Sequence, residues 1–239
     1  CVACKEARDN PQMARTRSGA LIDTGKETIL VDASPDLRAQ LIKEQINTID
    51  YVFLTHWHYD HFGGLGDLEF YVKLSRHKPV TLFLPPDAVE QFRTTYPFLH
   101  DVFDILPWQF GETHRFENLI LTPLPARHSI QTAGIFLESN AKLAYFTDTS
   151  GLPDPTIKRI KQCDLLICDA TFYGENWYPQ SHMSIEEAVR LGQKIEANNT
   201  VLTHLAMHYS IPISTANLQE ELKKYPRVTL GYDGMKFMI

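Results

Sequence analysis

Three histidines and an aspartate fall within six residues, His56-Trp57-His58-Tyr59-Asp60-His61, directly after the apolar run Tyr51-Val52-Phe53-Leu54-Thr55. A short apolar run of this kind reads as a buried strand, so the cluster sits where a strand ends. Imidazole nitrogens suit zinc, iron and related ions, and carboxylates complete or bridge such sites. A rigid sheet that delivers ligands from its edge supplies the fixed geometry that coordination requires. The plainer alternative is a solvated loop that happens to be rich in histidine, and so dense a cluster disfavours it.

Three more apolar strands end on a metal-binding residue type. Leu119 to Leu124 leads to His128, Leu143 to Thr147 ends at Asp148, and Val201 to Thr203 ends at His204. One strand-end histidine alone is more often a hydrogen-bonded structural residue. Together with the first cluster these residues make seven ligands, enough for two ions with positions left for water. The chain has ten histidines and four cysteines, which points to metal binding over disulfides. Cys163 and Cys168 flank an apolar stretch and read as buried, reduced thiols. That fits a reducing, cytoplasmic setting.

The 239 residues are expected to form a single domain over 1–239. The net charge of −6 argues against a long nucleic acid as partner. No run approaches the ~20 apolar residues that cross a membrane. Residue 1 is Cys, not Met, and the natural beginning is expected to lie upstream. Strands are expected at 18–23 and 28–32, a helix from Ser34, as N-cap, to about 45, and strands at 51–55 and 80–84. A β-rich middle follows at 102–106, 117–124, 133–138 and 141–147. A helix opens at Ser184-Ile185-Glu186-Glu187, a capping box, and a terminal pair of strands is expected over 227–239. Strands interleaved with helices suggest two sheets covered by helices.

The order H-x-H-x-D-H, His128, Asp148, His204 resembles the metallo-β-lactamase superfamily. The resemblance implies an α/β fold, an αββα sandwich, here without its first N-terminal strand, and a site at one edge between the sheets. It implies that His56, His58 and His128 hold one divalent metal, that Asp60, His61 and His204 hold a second, and that Asp148 bridges them. Zinc or manganese is expected, with iron as a further candidate, and a bridging hydroxide as nucleophile. His58 stands where the di-iron oxidoreductase branch has an acidic residue, so the chain resembles the hydrolytic branch. Asp32, after Ile29-Leu30-Val31, resembles the acidic residue that orients a histidine ligand; a turn residue before a helix is the alternative.

The segments Thr122 to Ser129, Phe146 to Pro153 and Gly231 to Met235 narrow the likeness to the phosphoribosyl 1,2-cyclic phosphate phosphodiesterase (PhnP) family. Cys1-Val2-Ala3-Cys4 matches the last two cysteines of that family's C-x-C-x-x-C motif. The likeness implies a structural zinc on Cys1, Cys4 and His208, the last four residues after His204 where the family spacing is three. A redox pair or a frayed terminus are the other readings of C-x-x-C. His182, in the polar loop before the capped helix, resembles a general acid for the leaving alkoxide, and a histidine near neutrality suits that task. His182 and Asp60 are the expected catalytic residues. Arg15, Arg127 and Ser129 are candidate phosphate contacts. The aromatics of the first cluster and of the 172–178 loop are candidates for pocket lining, with core packing as the alternative.

The resulting expectation is a metal-dependent hydrolase of a small phosphodiester, cyclic ribose phosphates included, working as a monomer or homodimer. The alternatives are a tRNase Z-like RNA nuclease, a thioester or lactone hydrolase, and a PqqB-like protein of cofactor biosynthesis. The absence of a basic, RNA-gripping insertion argues against the first, and the complete hydrolase ligand set against the last.

Overall fold

Thr28, Ile29, Leu30 and Val31 are all buried, with no polar alternation along the strand. A strand covered on both faces reads this way, and parallel pairing is its usual setting. The computed structural model describes residues 1–239, apart from the side chain of Gln12. The chain falls into two compact units, Arg17–Pro123, and Cys1–Thr16 together with Leu124–Ile239. The first element of the chain, α1 (Val2–Asp9), belongs to the latter unit; its N-cap is Cys1, whose sulfur accepts from the Cys4 backbone N–H. The first element expected from sequence is the strand at 18–23, so this helix is an addition to it.

In the unit Arg17–Pro123, β1 (Ala20–Asp23) and β2 (Thr28–Val31) form an antiparallel hairpin. Its turn needs Gly25 at φ 84°, a left-handed conformation that glycine adopts without strain. Next come α2 (Leu37–Lys43), β3 (Tyr51–Phe53), α3 (Tyr59–Phe62), α4 (Leu68–Tyr71) and a π-helical turn over Val72–Arg76. Then follow β4 (Val80–Leu84), α5 (Val89–Thr95) and β5 (Phe103–Pro107). The sheet order is β1-β2-β3-β4-β5, and β2 to β5 are mutually parallel. The hairpin β6 (His114–Phe116) and β7 (Leu119–Pro125) follows in the chain, outside this five-stranded sheet, and β7 runs on to the first residues of the other unit. The hairpin turn, with Glu117 at φ 45°, interrupts the strand expected over 117–124.

The α2 helix starts later than expected. Ser34 does not cap it. Its hydroxyl accepts from the Asp36 N–H at 3.2 Å, inside a turn. Asp36 stands at the N-cap but makes no capping bond, because its carboxylate is taken by the backbone and guanidinium of Arg17 at 2.9 to 3.1 Å.

In the other unit, β8 (Ala133–Glu138) pairs antiparallel with β9 (Lys142–Phe146). Then come α6 (Asp154–Arg159), β10 (Leu165–Asp169), α7 (Ile185–Ile195), β11 (Asn199–Thr203), α8 (Thr215–Leu222) and β12 (Val228–Leu230). These strands run in the order β12-β11-β10-β9-β8, the first four parallel. The terminal pair of strands is not formed. The chain turns instead at Gly234 (φ 87°), where Met235 N donates to Tyr232 O at 3.1 Å, and no strand follows β12.

Each unit has its own apolar core. Leu30, Val52, Leu54, Leu82 and Phe92 anchor one, and Phe136, Phe146, Leu166, Ile195 and Leu202 the other. Fully burying such a side chain is worth about 1.5 to 3 kcal/mol, which makes the sheets a firm base for the loops at their ends. No helix among the described residues is long and apolar enough to cross a membrane.

Candidate metal centre

The carboxyl ends of the parallel strands carry the polar residues. Asp32 follows β2, and Thr55 and His56 follow β3. Asp32 is 1% exposed, and its carboxylate has three partners. It accepts from the Thr55 N–H at 2.8 Å, from the Thr55 hydroxyl at 2.9 and 3.0 Å, and from His61 Nδ1 at 2.8 Å. The Thr55 proton goes to Asp32, so the same hydroxyl oxygen accepts from His56 Nδ1 at 2.9 Å. Both His56 and His61 therefore carry their proton on Nδ1, and a neutral ring then keeps its lone pair on Nε2.

His56 Nε2 lies 3.0 Å from His58 Nδ1. Two ligand nitrogens on a tetrahedral zinc, each ~2.0 Å from the ion, stand about 3.3 Å apart, so this pair fits a shared ion. His61 Nε2 stands 3.5 Å from Asp60 Oδ2, an equally suitable pair of donors. The loop is tied down by Ala33 N donating to His61 O at 2.7 Å and Gly64 N donating to Ala33 O at 2.8 Å. A Cβ on Gly64 would meet Ser34 O at 2.1 Å, so only glycine permits this approach.

The other unit repeats the arrangement. Asp148 follows β9, Asp169 ends β10 and His204 follows β11. Asp169 is fully buried. Its carboxylate accepts from the backbone N–H groups of Thr149, Thr171 and Met183 at 3.0 to 3.2 Å, from the Thr171 hydroxyl at 3.0 Å, and from His182 Nδ1 at 2.9 Å. The Thr171 oxygen in turn accepts from His204 Nδ1 at 3.0 Å. His128 Nδ1 donates to Ser181 O at 2.9 Å. His128 and His204 are thus also protonated on Nδ1, so that a neutral ring keeps its lone pair on Nε2, and His204 Nε2 lies 3.6 Å from Asp148 Oδ2.

His182 is held from one side by two carboxylates: Nδ1 is 3.0 Å from Asp148 Oδ1 and 2.9 Å from Asp169 Oδ2. Burial pushes its pKa down, but the hydrogen bonds it donates to both aspartates and their negative charges outweigh that and lift it to about 10. Donor atoms of Asp148, Asp169, His182 and His204 all lie within 4.8 Å of one another. Imidazole and carboxylate at this spacing are a donor set that zinc, manganese and iron accept.

The Beta-lactamase superfamily domain pattern matches residues 27–205, three quarters of the chain. The chain belongs to that superfamily. Among its relatives, the octanoyltransferase of Porphyromonas gingivalis is 29% identical over the whole chain, which spans 48% of that protein's length. Ribonuclease Z of Myxococcus xanthus is 23% identical over 94% of the chain and 92% of its own length. The crystal structure of a diphosphatase from the PhnP family superposes with a TM-score of 0.86 at 23% identity, covering 99% of this chain and 88% of that one. The two sheets with their helices are the metallo-β-lactamase fold.

Within this superfamily member, Cys1, Cys4 and His208 also come together, with donor atoms within 4.8 Å of one another. The two sulfurs are 3.0 Å apart, and Cys1 Sγ also lies 3.0 Å from Met207 O. Arg15 is committed elsewhere than to phosphate. Its guanidinium donates to Ala206 O, the Tyr209 hydroxyl and the Thr215 hydroxyl at 3.0 to 3.3 Å. Arg127 and Ser129 are exposed. Asp169, Thr55 and Thr171 were not singled out from sequence. Asp169 carried the same signal as Asp148, an aspartate ending an apolar run, and each threonine sits one or two residues from a strand-end aspartate or histidine.

Proposed function

We propose that the chain is a metal-dependent hydrolase of phosphodiesters, acting as one domain over residues 1–239. His56, His58, Asp60 and His61, with His128, Asp148 and His204, supply the donors for two divalent ions, zinc or manganese foremost. Bound ions would offset charge on the phosphoryl oxygens and lower the pKa of water. The observation that carries the reading is the fixing of Nδ1 in His56, His61, His128 and His204 by oxygen acceptors. Ligating histidines are oriented in this way by partners on the far nitrogen. Asp60 joins as ligand and catalytic carboxylate. His182, steadied at Nδ1, presents Nε2 as the group that protonates the leaving oxygen. Cys1, Cys4 and His208 are the proposed ligands of a separate structural zinc.

The PhnP-family diphosphatase and ribonuclease Z support phosphorus chemistry by analogy. The test is hydrolysis of bis(p-nitrophenyl) phosphate by the manganese- or zinc-loaded chain. Activity lost in Asp148→Ala and His58→Ala is the expected result; an inert loaded protein overturns the reading. The ribonuclease Z likeness favours RNA as a second substrate class, and the net charge of −6 opposes it. Salt-dependent binding of tRNA would decide for RNA.

A further inference from the structure

The loop between β10 and α7 carries His182, and two of the largest side chains stand exposed on it: Trp177 at 45% and Tyr178 at 57%. The loop is not loose. Tyr178 N donates to Asn176 Oδ1 at 3.0 Å, and Ser181 N and His182 N both donate to Tyr178 O at 3.0 and 2.9 Å. Asn176 Nδ2 donates to His182 O at 2.8 Å and to Glu187 Oε2 at 3.0 Å. That carboxylate oxygen also accepts from Ser184 N at 2.7 Å in the capping box of α7. Tyr178, His182 and the start of α7 therefore form one hydrogen-bonded frame, with Trp177 between two of its members, Asn176 and Tyr178. The buried Phe172 ring is its hub, with centroids 5.6 Å from Trp177, 6.1 Å from Tyr178 and 6.2 Å from His182.

From Phe172 to Met183 the loop has no lysine or arginine. Apart from the His182 imidazole, what it offers a ligand is ring surface. We infer that Trp177 and Tyr178 form a stacking platform for an aromatic or heteroaromatic ring on the leaving group, an aryl or nucleoside moiety delivered to His182. This rests on the phosphodiesterase reading and narrows its substrate class. Rigid aromatics bind a flat ring at low entropic cost because few side-chain torsions are left to freeze. Asn176 is a positioning residue in this scheme, acting on the rings and on His182 through the loop backbone.

The test compares binding of adenosine 5′-monophosphate and ribose 5-phosphate to the metal-loaded full chain. Aromatic stacking on a base is typically worth a factor of about 5 to 150, so the nucleotide is expected to bind roughly tenfold tighter or better. In Trp177→Ala/Tyr178→Ala that gap closes to about twofold, and in Trp177→Phe most of it returns. Trp177→Leu serves in place of the double variant if the latter does not fold. Equal affinity for the two ligands in the unaltered protein, or a gap that survives in Trp177→Leu, overturns the platform. An intact gap in a protein that hydrolyses no phosphodiester overturns the proposed function and supports ring binding.

Discussion

Asp169 reaches His204 through a single hydroxyl: Thr171 Oγ1 donates to Asp169 at 3.0 Å and accepts from His204 Nδ1 at 3.0 Å. Asp32 reaches His56 in the same way through Thr55. Each aspartate also holds a second histidine directly, His182 at 2.9 Å and His61 at 2.8 Å. Two buried carboxylates thus set the tautomer and direction of four imidazoles. Both Asp32 (φ 62°) and His204 (φ 55°) sit in the left-handed region, which aspartate and histidine tolerate better than most residues. Backbone strain of this kind collects where a side chain must be aimed.

Replacing Thr171 by valine keeps the shape and removes the hydroxyl that links Asp169 to His204. Loss of such an outer partner lowers metal affinity by about 10- to 100-fold. Thr171→Ser is expected to retain near-normal affinity because the hydroxyl survives. Competition against a chelator of known affinity reads both. Valine and serine variants with the same affinity as the unaltered chain would show that the link does not matter.

At Asp32 the backbone and the carboxylate can be separated. Asn accepts a positive φ, whereas a β-branched residue there is a true outlier. Asp32→Asn should fold near normally and bind metal more weakly. Asp32→Val should also lose stability, by about 1 to 3 kcal/mol from strain alone. At ~2 to 4 °C per kcal/mol for a chain of this size, thermal melts without metal resolve the two. Equal melting temperatures would remove the strain argument.

His182→Gln tests the proton donor. A p-nitrophenolate leaves without help, whereas an alkoxide needs a proton. The loss in kcat is therefore expected to be about 10²- to 10⁴-fold for an alkyl leaving group and much smaller for the aryl one. Equal losses on both substrates would assign His182 to ligand positioning instead.

Much of this was legible in sequence because strand ends announce themselves. The apolar runs before His56, Asp148 and His204 became β3, β9 and β11, and the capping box at Ser184 and Glu187 is formed. Other features depended on long-range partners. Asp36, not Ser34, stands before α2 because Arg17 and its neighbours shape the turn. Asp169 gave the same local signal as Asp148, yet its importance comes from residues 171, 182 and 204, which only the fold gathers. Exposure of Trp177 and Tyr178 was likewise invisible, since ring content alone does not separate core from surface.

The four cysteines should divide two and two. Cys163 and Cys168 are fully buried, and burial pushes the Cys163 thiol up to about 11 and that of Cys168 still higher. The thiolate is the reactive form, so both should resist a thiol reagent until the protein unfolds. Cys1 is exposed and Cys4 half-buried, and both should react in the folded, metal-free chain. Zinc that protects this pair, with no effect in His208→Ala on the buried thiols, fits a site at Cys1, Cys4 and His208. A pair that reacts equally fast with zinc present counts against it.

Glu187 links α7 to the His182 loop and gives the fold an acid-sensitive joint. Burial raises its pKa, but the Ser184 backbone N–H, the Asn176 amide and the Ser184 side chain together hold the carboxyl below the ordinary glutamate range. A group depressed in the folded state contributes stability above its unfolded pKa of about 4.3 and loses it as pH falls through the folded value. Glu187→Gln keeps the size and removes the charge. At neutral pH it should cost about 1 kcal/mol, the usual value of a capping interaction, or roughly 2 to 4 °C in Tm. As pH drops below ~4.3 the carboxyl of the unaltered protein becomes protonated too, and the two melting temperatures should converge. A constant gap between pH 7 and the acid limit would mean that the charge of Glu187 is not what secures the joint.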